Sequence, residues 1–213
     1  MKNLYLSLII LILLNFSYNI EAGEIINLPE PEKEGGMSLN EALNARHSSR
    51  DFDNTKDISN EMLSQALWSC YGINRLNNYK TVPSAVAWYP LLVFVFLKDG
   101  VYRYKPEGHY LIKLLDGDHR SITGTQDYVA NASANFVFIA DYNKKSEMDG
   151  DDEHKTRCIY LDTGHATMAL YLFASAYNMK GVTRAMVDSD AVLDLLGMNK
   201  EDYIITLTFS LGY

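Results

Sequence analysis

Arg46-His47-Ser48-Ser49-Arg50-Asp51-Phe52 is the stretch of this sequence that decides the fold. It follows a short helical pattern that opens with the capping box Ser38-Leu39-Asn40-Glu41. Arg46 shares one predicted helical face with three apolar residues at i, i+3 and i+4 spacing, namely Leu39, Ala42 and Leu43. A guanidinium on that face needs an anionic partner, since an unpaired buried charge is costly. Two arginines with hydroxyl and imidazole groups between them suit a phosphate.

A second interpretation of this cluster stays open at this point. Arg46 could pair with a buried carboxylate of its own chain, and Arg50 could lie in solvent. A guanidinium held by an internal carboxylate, with no cleft beside it, would argue against the phosphate site.

Residues 1–22 have the pattern of a secretory signal peptide. Lys2 precedes an almost wholly apolar run from Leu4 to Phe16, and a polar stretch ends at Ala22. We therefore expect cleavage near Ala22 and export to the periplasm or the extracellular space. An uncleaved N-terminal anchor is the alternative, although the run is shorter than the roughly 20 residues of a membrane span.

The net charge, the two cysteines and the spacing of the histidines bear on nucleic-acid binding, disulfide formation and metal binding, respectively. The formal net charge is -8 and no basic run is present, which argues against a nucleic-acid partner. Cys70 and Cys158 could pair in an oxidising compartment, but their apolar neighbours favour buried free thiols. The five histidines show no metal-ligand spacing, so we expect no metal site.

The chain after the signal peptide predicts a linker or arm over 23–37 and one α+β domain over 38–213. Besides the helix after Ser38, helices are predicted over 59–71, 126–132, 156–179 and 188–198. Strands are predicted over 91–97, 101–104, 135–141, 183–187 and 203–210, the first two joined as a hairpin at Asp99-Gly100. Residues 105–125 are predicted to be turn-rich with one short apolar patch, and 143–156 to be a solvated loop.

The longest predicted helix, Thr156 to Met179, is apolar on nearly all of its faces. Such a helix is buried, or has a core on one side and a partner subunit on the other. His165 on this helix could act as an acid or base. We expect instead a hydrogen-bonded core histidine, because the surrounding helix is so apolar.

Four segments of the chain together resemble the nitroreductase family, most closely its branch of thiazole/oxazole-forming peptide dehydrogenases. They are Arg46–Phe52, Leu67–Arg75, Thr81–Ala85 with Tyr89-Pro90, and Asp162–Ala166 followed by Gly181–Met186. The resemblance implies a nitroreductase-like α+β fold with a central, mostly antiparallel sheet flanked by helices. It also implies a homodimer with the long helix at its interface.

The resemblance implies flavin mononucleotide (FMN) as the cofactor and assigns three groups of residues to it. The phosphate and ribityl contacts would come from Arg46, His47, Ser48 and Arg50. A loop that reaches the flavin of the neighbouring subunit would contain Pro83, Ser84 and Ala85. The main chain around Arg184 and Ala185 would approach flavin N5. Since nothing basic follows Lys200, Arg46 and Arg50 would hold the phosphate almost unaided.

The function expected from this resemblance is an exported FMN-dependent oxidoreductase that transfers hydride through flavin N5 to a small or peptide substrate. NAD(P)H is the reductant that the family usually draws on. The alternative is a protein with the same fold that binds a ligand or partner without turnover. No catalytic side chain is predicted.

Overall fold

A computed structural model describes residues 23–213, apart from the side chains of residues 145 and 146. The predicted signal peptide therefore lies outside the described residues. Within 23–213, none of the helices combines the length and the apolar character that crossing a membrane requires.

Four α-helices begin where polar side chains cap them. Ser38 caps α1 with a complete capping box, and Ser59, Asp151 and Asp188 accept hydrogen bonds from the first turns of the other three. The helices are α1 Leu39–Ala45, α2 Asn60–Tyr71, α3 Asp152–Ala176 and α4 Ser189–Leu195. Four short 3-10 helices span Ala85–Ala87, Arg120–Thr123, Asp127–Asn131 and Tyr142–Glu147.

A seven-stranded sheet forms the centre of the fold, and every pair of neighbouring strands in it is antiparallel. The strands are β1 Glu24–Asn27, β2 Leu91–Leu97, β3 Gly100–Lys105, β4 Tyr110–Asp116, β5 Ala134–Asp141, β6 Lys180–Arg184 and β7 Tyr203–Gly212. They lie in the order β1-β4-β3-β2-β5-β7-β6. The expected α+β class and antiparallel sheet are confirmed.

Helices cover both faces of the sheet, which explains why β2 and β5 are continuous apolar runs. One face packs against α2 and α3 through a core that includes Phe136, Phe138 and Phe209. The other face packs against α4 through a second core that includes Phe94 and Phe96. Strands buried on both faces lose the alternation of apolar and polar residues.

Several elements differ from the expectations, and the helix predicted over 126–132 is the short 3-10 helix Asp127–Asn131. The long helix begins at Asp152 rather than Thr156, because Asp151 caps it within the loop predicted over 143–156. The apolar patch at 110–115 is a strand, β4, and the extended arm supplies β1, which pairs with it. Strand β6 begins three residues before the predicted 183–187, at Lys180.

The polar side chains of β7, which alternate with apolar ones, are buried. Thr206 and Thr208 are at most 5% exposed. The hydroxyl of Thr206 accepts a hydrogen bond from Thr163 on α3 and donates one to the carbonyl oxygen of Phe138. A buried hydroxyl costs little folding free energy when it has hydrogen-bond partners. The hydrogen bond between Thr206 and Thr163 helps to fix α3 over the sheet.

Gly181, at the start of β6, allows the sheet to approach α3 closely. A Cβ at this position would lie 2.5 Å from the Phe209 ring and 3.5 Å from the Ala174 side chain. The Gly181 carbonyl oxygen accepts a hydrogen bond from the Ser49 amide, so the same residue anchors the loop that follows α1.

We predict that Gly181→Ala destabilises the protein by roughly 1–3 kcal/mol, because the added methyl overpacks a closed core. Urea unfolding measures the change. In a double-mutant cycle with Phe209→Leu, the two substitutions together should cost less than the sum of their separate effects, since leucine makes room. Strict additivity would show that the ring and the glycine do not interact.

Candidate functional site

The loop that follows α1 places Arg46 differently from the helical pattern. Helix α1 ends at Ala45, and Arg46 is its C-cap, with extended backbone angles. Leu39 and Leu43 are 64% and 47% exposed, so Ala42 is the buried apolar residue of the predicted face of α1. The half-buried Arg46 guanidinium instead lies over the ring of Tyr171 on α3, 5.3 Å from its centroid.

The Tyr171 hydroxyl joins the loop to the sheet. It lies 2.8 Å from the Ser48 Oγ atom and accepts a hydrogen bond of 2.9 Å from the backbone N–H of Thr183. Burial of Tyr171 raises its pKa, but the hydrogen bonds from Ser48 and Thr183, with the nearby Arg46 charge, outweigh burial and leave the pKa below the ordinary value. The ring packs edge-on against Phe209, 5.0 Å away.

Neither Arg46 nor Arg50 forms an ion pair with any residue of the described part of the chain. The internal carboxylate of the second interpretation is therefore not observed within 23–213, whereas Arg50 is exposed, as that interpretation had it. His47 is exposed, with its Nδ1 atom 2.8 Å from the Ala45 carbonyl oxygen.

A third cation, Lys180, also lies at this loop and was missed by the sequence analysis. Its Nζ atom donates to the Asp51 carbonyl oxygen and lies 3.8 Å from the exposed Asp51 carboxylate. Lys180 opens β6, and only the folded sheet brings it beside the loop. Lys180 therefore brings a further cation to the phosphate cluster, with the Asp51 carboxylate beside it.

The predicted loop with Pro83, Ser84 and Ala85 is held by Asp162 of α3. Ser84 Oγ and the Ala85 N–H donate to the two carboxylate oxygens of Asp162, at 2.5 and 3.2 Å. Burial raises the Asp162 pKa, and these hydrogen bonds oppose the rise. Pro83 itself is exposed.

The turn that follows Ala85 is strained and exposed. Val86, Ala87 and Tyr89 have φ angles of 46°, 57° and 50°, a region that residues with a Cβ rarely adopt. Val86 is 80% exposed. Such strain persists only where surrounding contacts impose it, and Asp162 supplies two of those contacts.

The predicted residues Arg184 and Ala185 separate at the end of β6. The Arg184 side chain turns into the core, where it donates to the Thr123 carbonyl oxygen at 2.6 Å and to Asn135 Oδ1 at 3.3 Å. Burial lowers the Arg184 pKa to about 10. Its guanidinium is therefore closed to a ligand, whereas Ala185 and the following Met186 are exposed.

The structure thus brings together the first and last of the three predicted groups and leaves the loop with Ser84 apart. Tyr171 lies beside the loop after α1 and beside strand β6, and Asp162 lies beside the loop with Ser84. Tyr171 and Asp162 are nine residues apart on α3. At 1.5 Å per residue, about 14 Å of helix separates them. Across residues 23–213, no group of three or more His, Cys, Asp or Glu side chains is arranged to hold a metal ion.

The face of α3 between these two positions is exposed and largely apolar. Leu161 is 58% exposed and Met168 is 38% exposed. A Cβ at Gly164 would meet nothing within 4 Å. His165 is exposed on this same face, so the expectation of a hydrogen-bonded core histidine is wrong. Cys70 and Cys158 are both buried free thiols.

Comparison with known proteins identifies the family. The family profile described as "Nitroreductase family" matches residues 43–213. The chain belongs to the nitroreductase family. This nitroreductase is 29% identical over 181 residues to a protein of Methanocaldococcus jannaschii assigned to the nitroreductases, covering 80% of this chain and 88% of the relative. Membership confirms the expected family and supports the enzyme class of FMN-dependent oxidoreductases.

Solved structures share the nitroreductase fold. One from Ralstonia eutropha JMP134, described as a nitroreductase, is 31% identical, with a TM-score of 0.82 and 88% of each chain covered. A nitroreductase of Exiguobacterium sibiricum solved with FMN is 18% identical, with a TM-score of 0.59 and coverage of 85% and 90%.

A chain of the Escherichia coli microcin synthetase McbBCD complex also has this fold. It is 15% identical, with a TM-score of 0.66 and coverage of 94% of this chain and 81% of that one. This likeness agrees with the peptide-modifying branch named above, and at such identity it concerns the fold alone.

We predict that Tyr171→Phe destabilises this nitroreductase by about 1–2 kcal/mol, because the Thr183 N–H loses its acceptor. Urea unfolding measures the loss. In an absorbance titration, the wild-type protein should show a tyrosine that ionises below the ordinary midpoint near pH 10, and the variant should lack it. Identical titration curves would contradict the proposed environment of the phenol.

Proposed function

We propose that this nitroreductase is an exported, FMN-dependent oxidoreductase that acts on a small or peptide substrate. The observation that carries the proposal is Arg46, a half-buried guanidinium seated on the Tyr171 ring with no carboxylate partner among the described residues. The FMN in the related Exiguobacterium structure supports the choice of cofactor.

The residues at the loop after α1 suit the phosphate of FMN. Arg46 and Arg50 would supply guanidinium donors, Ser48 a hydroxyl and Lys180 a further positive charge. These cations are concentrated at one place on a chain with a net charge of -8, so the attraction for a dianion is local. Tyr171 and Gly181 hold the loop by hydrogen bonds to Ser48 and to the Ser49 amide.

Ala185 and Met186 are exposed residues that follow β6, and the main chain at Ala185 would lie beside the flavin ring, two residues beyond the Thr183 N–H that donates to Tyr171. Bound FMN would supply the redox chemistry, accepting and giving hydride at N5. The protein would orient the ring and exclude water from it. NAD(P)H would serve as the reductant if a supply reaches the exported protein.

We infer that the complete site needs two copies of the chain. The loop with Ser84 and Ala85 is about 14 Å of helix away from Tyr171, and the face of α3 between them is exposed and apolar. Two α3 helices related by a twofold axis would bury this face, with Gly164 allowing close approach. The Arg46 group of one copy would then meet the Ser84 loop of the other.

We predict that Arg46→Ala weakens FMN binding by roughly 2–4 kcal/mol, because the phosphate loses a partly desolvated cation. Fluorescence titration of the flavin-free protein with FMN and with riboflavin measures the effect. Wild type should prefer FMN strongly, and the variant should lose most of that preference while keeping its affinity for riboflavin.

Lys113→Met is the control for this experiment, because it removes a cation that pairs with Asp116 on β4, near the opposite edge of the sheet from β6. FMN affinity should not change in this control. Equal binding of FMN and riboflavin by the wild-type protein would contradict the phosphate assignment. Bound flavin that no reductant reduces would favour the alternative, a binding protein without turnover.

We predict that Leu161→Glu yields a monomer that binds FMN at least tenfold more weakly, since a charge is placed on the proposed interface. Sedimentation velocity measures the mass. Ile25→Glu is a matched control, because Ile25 is 61% exposed but lies on β1. A dimer that survives Leu161→Glu would place the interface elsewhere.

Export makes a separate prediction. The secreted protein should begin at or near Gly23, and mass spectrometry of the intact chain checks this. A mature protein that still carries residues 1–22 would support the uncleaved anchor instead.

A further inference from the structure

Lys80 is a buried cation far along the chain from the proposed phosphate cluster. Its side chain is 6% exposed. The Nζ atom lies over two aromatic rings, 4.8 Å from the Tyr71 centroid and 5.1 Å from the Tyr89 centroid. The Lys80 backbone N–H donates to the Tyr89 hydroxyl, which fixes the lysine within this aromatic pair.

The charge of Lys80 is poorly satisfied within the described part of the chain. The Lys80 Nζ atom makes no hydrogen bond to any described residue. Its ion-pair partner is Glu107, whose carboxylate oxygen is 3.9 Å away and whose side chain is 60% exposed. Burial lowers the Lys80 pKa, and Glu107 offsets only part of that effect. Ring faces attract a cation. Unlike a carboxylate oxygen, however, they do not serve as conventional hydrogen-bond acceptors for the three N–H groups of the ammonium.

A cavity of about 230 Å³ lies against Lys80, and its lining contains more cations than carboxylates. Arg103, Lys105 and Lys144 join Lys80 on its wall, opposed by Glu107 and Asp141. Even with Lys105 left out of the count, Lys80, Arg103 and Lys144 outnumber the two carboxylates, on a chain with a net charge of -8. The volume of the cavity is smaller than the roughly 300–1,000 Å³ of pockets that hold drug-sized ligands.

The two tyrosines add neutral donors to this wall. The Tyr71 hydroxyl accepts from the Leu91 N–H, and the Tyr89 hydroxyl accepts from the Lys80 N–H. Neither phenolic proton is donated to a described residue. Both hydroxyls therefore retain a proton for a further acceptor, as Lys80 does.

We propose that this cavity binds a small oxyanion, the carboxylate or phosphate group of a compact metabolite, with Lys80 as its central donor. The anion would supply the acceptor that the buried ammonium lacks, and the tyrosine hydroxyls would donate to it. This site shares no residue with the proposed flavin site, although the Tyr89 N–H of its wall donates to Ser84 Oγ of the flavin loop. The competing explanation is a structural ion pair between Lys80 and Glu107.

Isothermal titration of the purified protein with sodium phosphate and with sodium acetate, at constant ionic strength, tests the proposal. We expect saturable binding of at least one of these anions to wild type and a loss of at least tenfold in Lys80→Met. Glu107→Gln should bind the same anion several-fold more tightly, because a competing carboxylate is removed. Lys113→Met is the matched control, since Lys113 also lies near a tyrosine ring, 5.9 Å from Tyr102, and pairs with a carboxylate.

Thermal melting, measured without anion and with whichever of the two anions binds, separates ligand binding from a purely structural role of Lys80. The anion should raise the melting temperature of wild type and of Glu107→Gln, and should leave that of Lys80→Met unchanged. An ion-pair role alone would instead lower the melting temperature of both variants, with no effect of anion on any protein. That result, or absence of saturable binding of both anions to wild type and Glu107→Gln, would overturn the proposal.

Discussion

The rest of the site depends on the phenol of Tyr171. Its hydroxyl is hydrogen-bonded to the Ser48 hydroxyl and to the Thr183 N–H, and the Arg46 guanidinium lies over the face of its ring. One side chain thereby joins the loop after α1, the long helix and strand β6, which are far apart in sequence. Thr183 supplies a hydrogen-bond donor and Arg46 a positive charge, and Arg46 is held half-buried with no ion-pair partner among the described residues, so its charge remains available to an anion.

The same helix holds a second loop by a different chemistry. Asp162 accepts hydrogen bonds from the Ser84 hydroxyl and the Ala85 N–H, and positive φ angles follow at Val86, Ala87 and Tyr89. Helix α3 thus presents a cationic junction and a strained loop on a single rigid element. Geometry within one chain keeps them apart, and the exposed apolar face between them is what a second copy would cover.

Local signals in the sequence predicted much of the fold and less of the site. Ser59 and the Asp99-Gly100 turn act through neighbouring residues, so α2 and the β2–β3 hairpin were predictable. Strand β4 was missed because its apolar patch is interrupted by Lys113 and is stabilised by pairing with β1 and β3. Lys180 enters the site only through the folded sheet, and the inward turn of Arg184 depends on Thr123, 61 positions earlier.

Pairing two defective chains tests the central claim, a flavin site shared between two copies, most directly. Arg46→Ala removes the cationic half, and Asp162→Ala releases the Ser84 loop, so neither variant alone should bind FMN well. If the site is shared, a mixed dimer purified with two different affinity tags has one intact site and binds one FMN per two chains with wild-type affinity. If each site lies within one chain, the mixed dimer binds no better than either variant alone, and the account is contradicted.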